Sequence, residues 1–115
     1  MPITLYGIPN CDTVKRARAW LKAHGRDAAF VDFKKAGVPA DRLDAWSRAL
    51  GWERLVNRSG TTWRQLDDTA RAAVVDEVSA KRLMLAHASV IKRPVVEWAD
   101  GTITVGFDAA DWAAR

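Results

Sequence analysis

A strand, a helix and a second strand fill the first 33 residues, and this constrains the chain more than any other feature. "ITLYGI" (3–8) is short, apolar and rich in β-branched and aromatic residues, as a buried strand is. "PN" punctuates it. A helix is expected from about residue 11 to His24, with Gly25 as its stop. Val14, Ala17 and Leu21 share one face of that helix, with Trp20 beside them, and Lys15, Arg18 and Lys22 share another. "AAFVDF" (28–33) reads as the second strand. A β-α-β unit of this size calls for a parallel pair of strands, because the helical crossover carries the chain back to the starting end.

Strands return only near the C-terminal end. "VVEW" (95–98) and "TITVGF" (102–107) are joined by "ADG", a hairpin signal, and "DAADWAAR" closes as a short helix. The middle is helical. "VPADRLDAWSRALGW" (38–52) carries Leu43, Trp46 and Leu50 at helical spacing, a core stripe. "VNRSGTTW" (56–63) is a loop, with Thr61 or Thr62 expected to cap the helix after it. "DDTARAAVVDEV" (67–78) reads as a helix capped by Asp67 or Asp68, and "SAKRLMLAHASV" (79–90) as another capped by Ser79. The order β-α-β, helices, β-β-α predicts one α/β domain over 1–115 of the thioredoxin type. Its mixed four-stranded sheet would carry a helical insert at about 37–88.

A chain of 115 residues with 49% apolar content suits one domain with a real core, and most of its six tryptophans are expected to be core anchors or helix-face residues. The net charge of +4 comes from scattered basic residues interleaved with acids, so no nucleic-acid partner is expected. No segment approaches a membrane span, and the start of the chain lacks the pattern of a signal peptide. A single cysteine argues against a disulfide-built secreted domain. The cytoplasm is the expected location, and a monomer the expected state.

That cysteine, Cys11, stands where the first strand ends and the helix begins. A helix N-terminus carries unpaired N–H groups and about half a positive charge, which favour a thiolate. Lys15, four residues on, adds charge on the same face, while Asp12 opposes it. A buried, inert cysteine is the competing reading. In open α/β sheets, however, sites gather beyond the carboxyl ends of the strands, where Cys11 falls.

"YGIPNCDTVKRAR", "RSGTTWR" and "IKRP", in this order around a helical insert, resemble the arsenate reductase/Spx superfamily, and within it the small YffB-like branch of ArsC-family reductases. The resemblance covers essentially the whole chain. It implies that Cys11 is the nucleophile, that Arg93 binds an oxyanion near its sulfur, and that Pro94 is cis. Arg58 lies in the loop where the superfamily places another arginine, with Asn57 on the strictly aligned position. Asn10 and Lys15, in the motif around Cys11, complete the implied substrate-binding set. Gly7 and Ile8 stand where arsenate reductases carry a histidine, and the region of Gly106 where they carry a third arginine, which argues against efficient arsenate reduction. Val14 replaces the second cysteine of the Spx redox switch, so an internal disulfide is excluded.

The resemblance implies no bound cofactor and no metal. An external thiol must resolve any adduct on Cys11, and this points to glutathione as co-substrate, or to a glutaredoxin, with a small anionic or thiol substrate. The alternative is an Spx-like regulator that contacts RNA polymerase instead of turning over a substrate. His24, at a helix end, reads as a cation near a helix C-terminus. His87, also near a helix end, is weak evidence for catalysis.

Overall fold

The computed structural model describes residues 2–115. Two compact units divide the chain: one comprises the residues up to Phe33 together with Arg93–Arg115, the other Lys34–Lys92.

The first unit is built on the β-α-β pattern. β1 (Ile3–Gly7) and β2 (Ala28–Asp32) pair in parallel across α1 (Asp12–Ala23). β3 (Val95–Glu97) lies antiparallel to β1 on its other side, and β4 (Ile103–Val105) antiparallel to β3. The sheet order β2-β1-β3-β4 is the mixed four-stranded sheet that the sequence predicts. The hairpin between β3 and β4 turns at Gly101, whose φ of +89° only glycine adopts freely, and the Asp100 side chain accepts the Thr102 N–H at 2.9 Å.

Period-two alternation sorts the strands onto two faces. Ile3, Leu5, Val96 and Trp98 form one core with Val14, Ala17 and Leu21 of α1 and with Trp112. Trp112 anchors the short closing helix, Ala109–Ala113, whose N-cap Asp108 accepts the Asp111 N–H at 3.1 Å. Its ring meets Trp98 at 5.0 Å and Phe107 at 4.7 Å, edge to face. Burying an indole of ~200 Å² is worth about 5 kcal/mol at most, which holds a helix too short to stand alone. On the opposite face Tyr6 stacks on Phe33 at 6.3 Å and donates its hydroxyl to Glu97 at 2.8 Å.

The second unit is helical: α2 (Phe33–Ala36, which begins at the last residue of the first unit), α3 (Ala40–Leu50), α4 (Trp52–Leu55), α5 (Thr61–Gln65), α6 (Asp68–Ala72) and α7 (Glu77–Ala86), the closing helix of the chain being α8. Leu43 and Trp46 of the expected stripe are fully buried, and Leu50 is half-buried. A 3-10 turn (Ala88–Val90) follows α7, and an isolated bridge joins Val56 to Ile91.

Several local expectations change. The second strand stops at Asp32, because Phe33 is buried at the start of α2. The helix expected over 67–78 breaks after Ala72: Asp76 takes an extended backbone and caps α7 by accepting the Ser79 N–H at 2.9 Å. Ser79 is therefore the third residue of that helix and not its cap; its hydroxyl accepts the Asp76 N–H at 3.1 Å, closing a capping box. Gly60 caps α5 in place of Thr61 or Thr62. Asp67 caps α6 as expected, accepting from the Ala70 N–H at 2.7 Å.

Candidate active site

β1 delivers the chain to Cys11. After Gly7 the strand ends, Pro9 and Asn10 form an exposed bend, and Cys11 takes the N-cap position of α1 with extended backbone. Cysteine is an unusual cap, since Ser, Thr, Asp and Asn serve that purpose better. The Cys11 side chain closes no capping hydrogen bond at rest. The N–H groups of Val14 and Thr13 nevertheless act on the sulfur as aligned dipoles that favour its charged form.

Sheet register brings in the arginine. Tyr6 pairs with Val95 in the antiparallel β1–β3 ladder. Because the strands run in opposite directions, the approach to β3 lies at the exit of β1. Arg93, two residues before Val95, therefore reaches the end of the sheet where Cys11 sits. The peptide between Arg93 and Pro94 is cis. Partial burial pushes the Cys11 thiol up, but the Val14 N–H, the hydrogen bond and charge of the Arg93 guanidinium, and the Thr13 N–H outweigh it. Together they hold the thiol below its ordinary value. The arrangement can present a thiolate at the head of a helix, beside a guanidinium suited to an anionic partner.

Of the residues singled out from sequence, Cys11 and Arg93 are brought together. Asn10 is exposed in the bend before Cys11. Lys15 is exposed one turn into α1, and its backbone N–H donates to the Cys11 carbonyl at 2.9 Å. Arg58 and Asn57 belong to the second unit. There the Arg58 guanidinium lies 5.6 Å from the Trp52 ring and 5.7 Å from the Trp63 ring. Asn57 holds the same loop, accepting the Ser59 N–H on Oδ1 at 3.2 Å and donating its own N–H to the Val90 carbonyl at 2.8 Å.

His24 caps the C-terminus of α1, stacks on Trp20 at 3.9 Å and shares a 2.8 Å hydrogen bond with the Trp20 carbonyl. His87 is the exposed C-cap of α7. Among the described residues no group of three or more His, Cys, Asp or Glu could hold a metal ion, and no helix is long and apolar enough to cross a membrane. A groove of about 400 Å³ between α1 and β2 is lined by Arg18, Lys22, Gly25 and Phe30 and does not include Cys11.

Sequence reasoning missed the closeness of β1 to α1. A Cβ on Gly7 would lie 2.9 Å from Val14 Cγ2, so only glycine lets the helix head sit where it does. The signal was available: a glycine inside a strand pattern often marks close approach of another element.

A sheet of this order, with α1 on one face and a cysteine at its head, defines a thioredoxin-like fold. The family model described as "ArsC family" matches residues 6–115, and the chain belongs to the ArsC family. A protein of Haemophilus influenzae described as uncharacterized is 36% identical over 112 residues, covering 97% of this chain and 96% of its own. A solved structure of a protein named YFFB is 45% identical, with a TM-score of 0.91 and coverage of 97% and 96%. That of an arsenate reductase (ArsC) related protein from Brucella melitensis is 50% identical, with a TM-score of 0.77 and coverage of 100% and 94%.

Proposed function

We propose that this protein is a thiol-dependent reductase in which Cys11 is the nucleophile and glutathione or a glutaredoxin the external reductant. Membership of the ArsC family and likeness to an arsenate reductase related protein support a reductase-like activity. The observation that carries the reading is the Arg93 guanidinium on the Cys11 sulfur at the head of α1.

A disulfide substrate would be reduced by successive thiol–disulfide exchanges. The Cys11 thiolate attacks one sulfur, a new S–S bond forms to Cys11, and the other sulfur leaves as a thiolate that takes a proton from water. A glutathione thiolate then attacks the substrate-derived sulfur of the mixed disulfide, releasing the Cys11 thiolate and a glutathione–substrate disulfide. A second glutathione thiolate attacks the glutathionyl sulfur of that disulfide, releasing the remaining substrate thiol and leaving oxidised glutathione. The substrate gains two electrons and two external thiols are oxidised. Arg93 would favour the Cys11 thiolate and hold a carboxylate or oxyanion of the incoming molecule. With one cysteine in the chain, an internal disulfide cannot compete.

Mass spectrometry after incubation with oxidised glutathione tests this. The protein should gain one glutathionyl group, lose it again on adding reduced glutathione, and gain none as Cys11→Ser. A wild-type protein that stays unmodified, or that yields only a dimer linked through Cys11, would remove the reading.

A further inference from the structure

We propose that Gly106 is a positioning residue for Arg93, holding the backbone of Pro94 from the far side of the hairpin. The inference rests on the reading of Cys11 and Arg93 given under Proposed function. Proline has no N–H, so the backbone of residue 94 can be anchored only through its carbonyl. Gly106 supplies that anchor: its N–H donates to the Pro94 carbonyl at 2.9 Å. The β3–β4 ladder pairs Val95 with Val105, and this bond carries the pairing one step further, onto the residue that follows Arg93.

The geometry requires glycine. Gly106 leaves β4 with a φ of +85°, in the left-handed region that a Cβ disfavours. An alanine there must either hold the strained backbone or relax to negative φ. Because Phe107 beyond it is packed against the core, relaxation is taken up by tilting the 105–106 peptide, which turns its N–H away from Pro94. Relaxation frees the peptide that places Arg93, and with it the guanidinium that acts on the sulfur. The other charged groups near Cys11 in the chain are Asp12 and Lys15 of α1, both exposed, and the substitution changes neither.

The test is the rate of Cys11 alkylation by iodoacetamide as a function of pH, in the full chain, beside urea unfolding. Gly106→Ala should slow alkylation at pH 7 about fivefold, as Arg93→Ala does, because both remove the same charge-assisted hydrogen bond, weakened by solvent at the partly exposed sulfur. The double variant should be no slower than either single one. Gly106→Asn should recover most of the rate, since asparagine tolerates the left-handed region. Gly101→Ala is the control: with a φ of +89° at the hairpin turn it carries the same strain, and should lose stability with no change in the alkylation profile.

Slow alkylation in Arg93→Ala with a wild-type profile in Gly106→Ala overturns the positioning role alone. Wild-type profiles in both remove the Arg93–Cys11 reading as well. A Gly101→Ala profile as altered as that of Gly106→Ala reduces the effect to general strain. Independently of any variant, the Gly106 amide of the wild-type protein should resist hydrogen exchange; free exchange overturns the proposal.

Discussion

Replacing Gly7 by alanine tests how closely β1 and α1 approach, and the structure supplies the size of the effect. The new methyl would lie 2.9 Å from Val14 Cγ2, 3.6 Å from Cγ1 and 3.9 Å from Cβ. Ordinary carbon contacts begin near ~3.5 Å, so the first distance is short by about 0.6 Å. Val14 is fully buried and has no free direction in which to move. Overpacking of this kind costs about 1–3 kcal/mol. Gly7 is not among the glycines with positive φ, so its backbone adds no strain of its own. Val14→Ala alone leaves a small cavity and should cost about 2 kcal/mol. In the double variant both γ-carbons are gone, and of the three nearest atoms only the Cβ at 3.9 Å is left, an ordinary contact. The two losses should therefore not add: the double variant should be at least 1 kcal/mol more stable than their sum. Urea unfolding of the four proteins measures this, with the slope checked to be constant. Additive losses would refute the close contact as the reason for glycine at this position.

Other outcomes follow from the same geometry. Arg93→Ala should slow Cys11 alkylation at pH 7: a charge-assisted hydrogen bond of about 1.5–3 kcal/mol, reduced to about 1 kcal/mol by solvent at a partly exposed sulfur, corresponds to about fivefold. The Cys11 thiol is held below its ordinary value, so the fold binds the thiolate more tightly than the thiol. Its contribution to stability is complete above the unfolded value of ~8.5 and is lost as pH falls through the lower folded value. The stability gap between wild type and Cys11→Ser should widen with rising pH and then level off; a gap independent of pH would contradict this. Ser47, buried on α3 with its hydroxyl unpartnered among the described residues, should tolerate alanine with no loss of stability and a gain of up to about 1 kcal/mol, read by urea unfolding. The Asp76 carboxyl is held below the usual carboxylate range by the Ser79 N–H and hydroxyl, so α7 should fray as pH falls through that lowered value; hydrogen exchange at Ser79 reports it, and Asp76→Asn should weaken the pH dependence.

Local pattern alone carried the β-α-β unit, the closing hairpin and the helical middle, because periodicity and turn chemistry act over a few residues. Cys11 at the head of α1 was legible for the same reason: the strand ends and the helix begins within a short stretch. The break between α6 and α7 was not, because Ala73–Val75 can continue a helix and only the Asp76–Ser79 capping box decides that one ends and another starts. Arg93 is 82 residues from Cys11 in the chain, and without the family resemblance no spacing rule joins them. Antiparallel register at Tyr6 and Val95 does so, by laying the approach to β3 against the exit of β1. The same is true of Gly7, whose need to be glycine is set by Val14 on a different element, and of Gly106, whose N–H finds the Pro94 carbonyl across the hairpin. Sequence by itself marked Cys11 as the candidate nucleophile and outlined the elements on either side of it. Tertiary structure decided which of them meet, since hydrogen-bond registry and close packing between elements distant in the chain leave little trace in local composition.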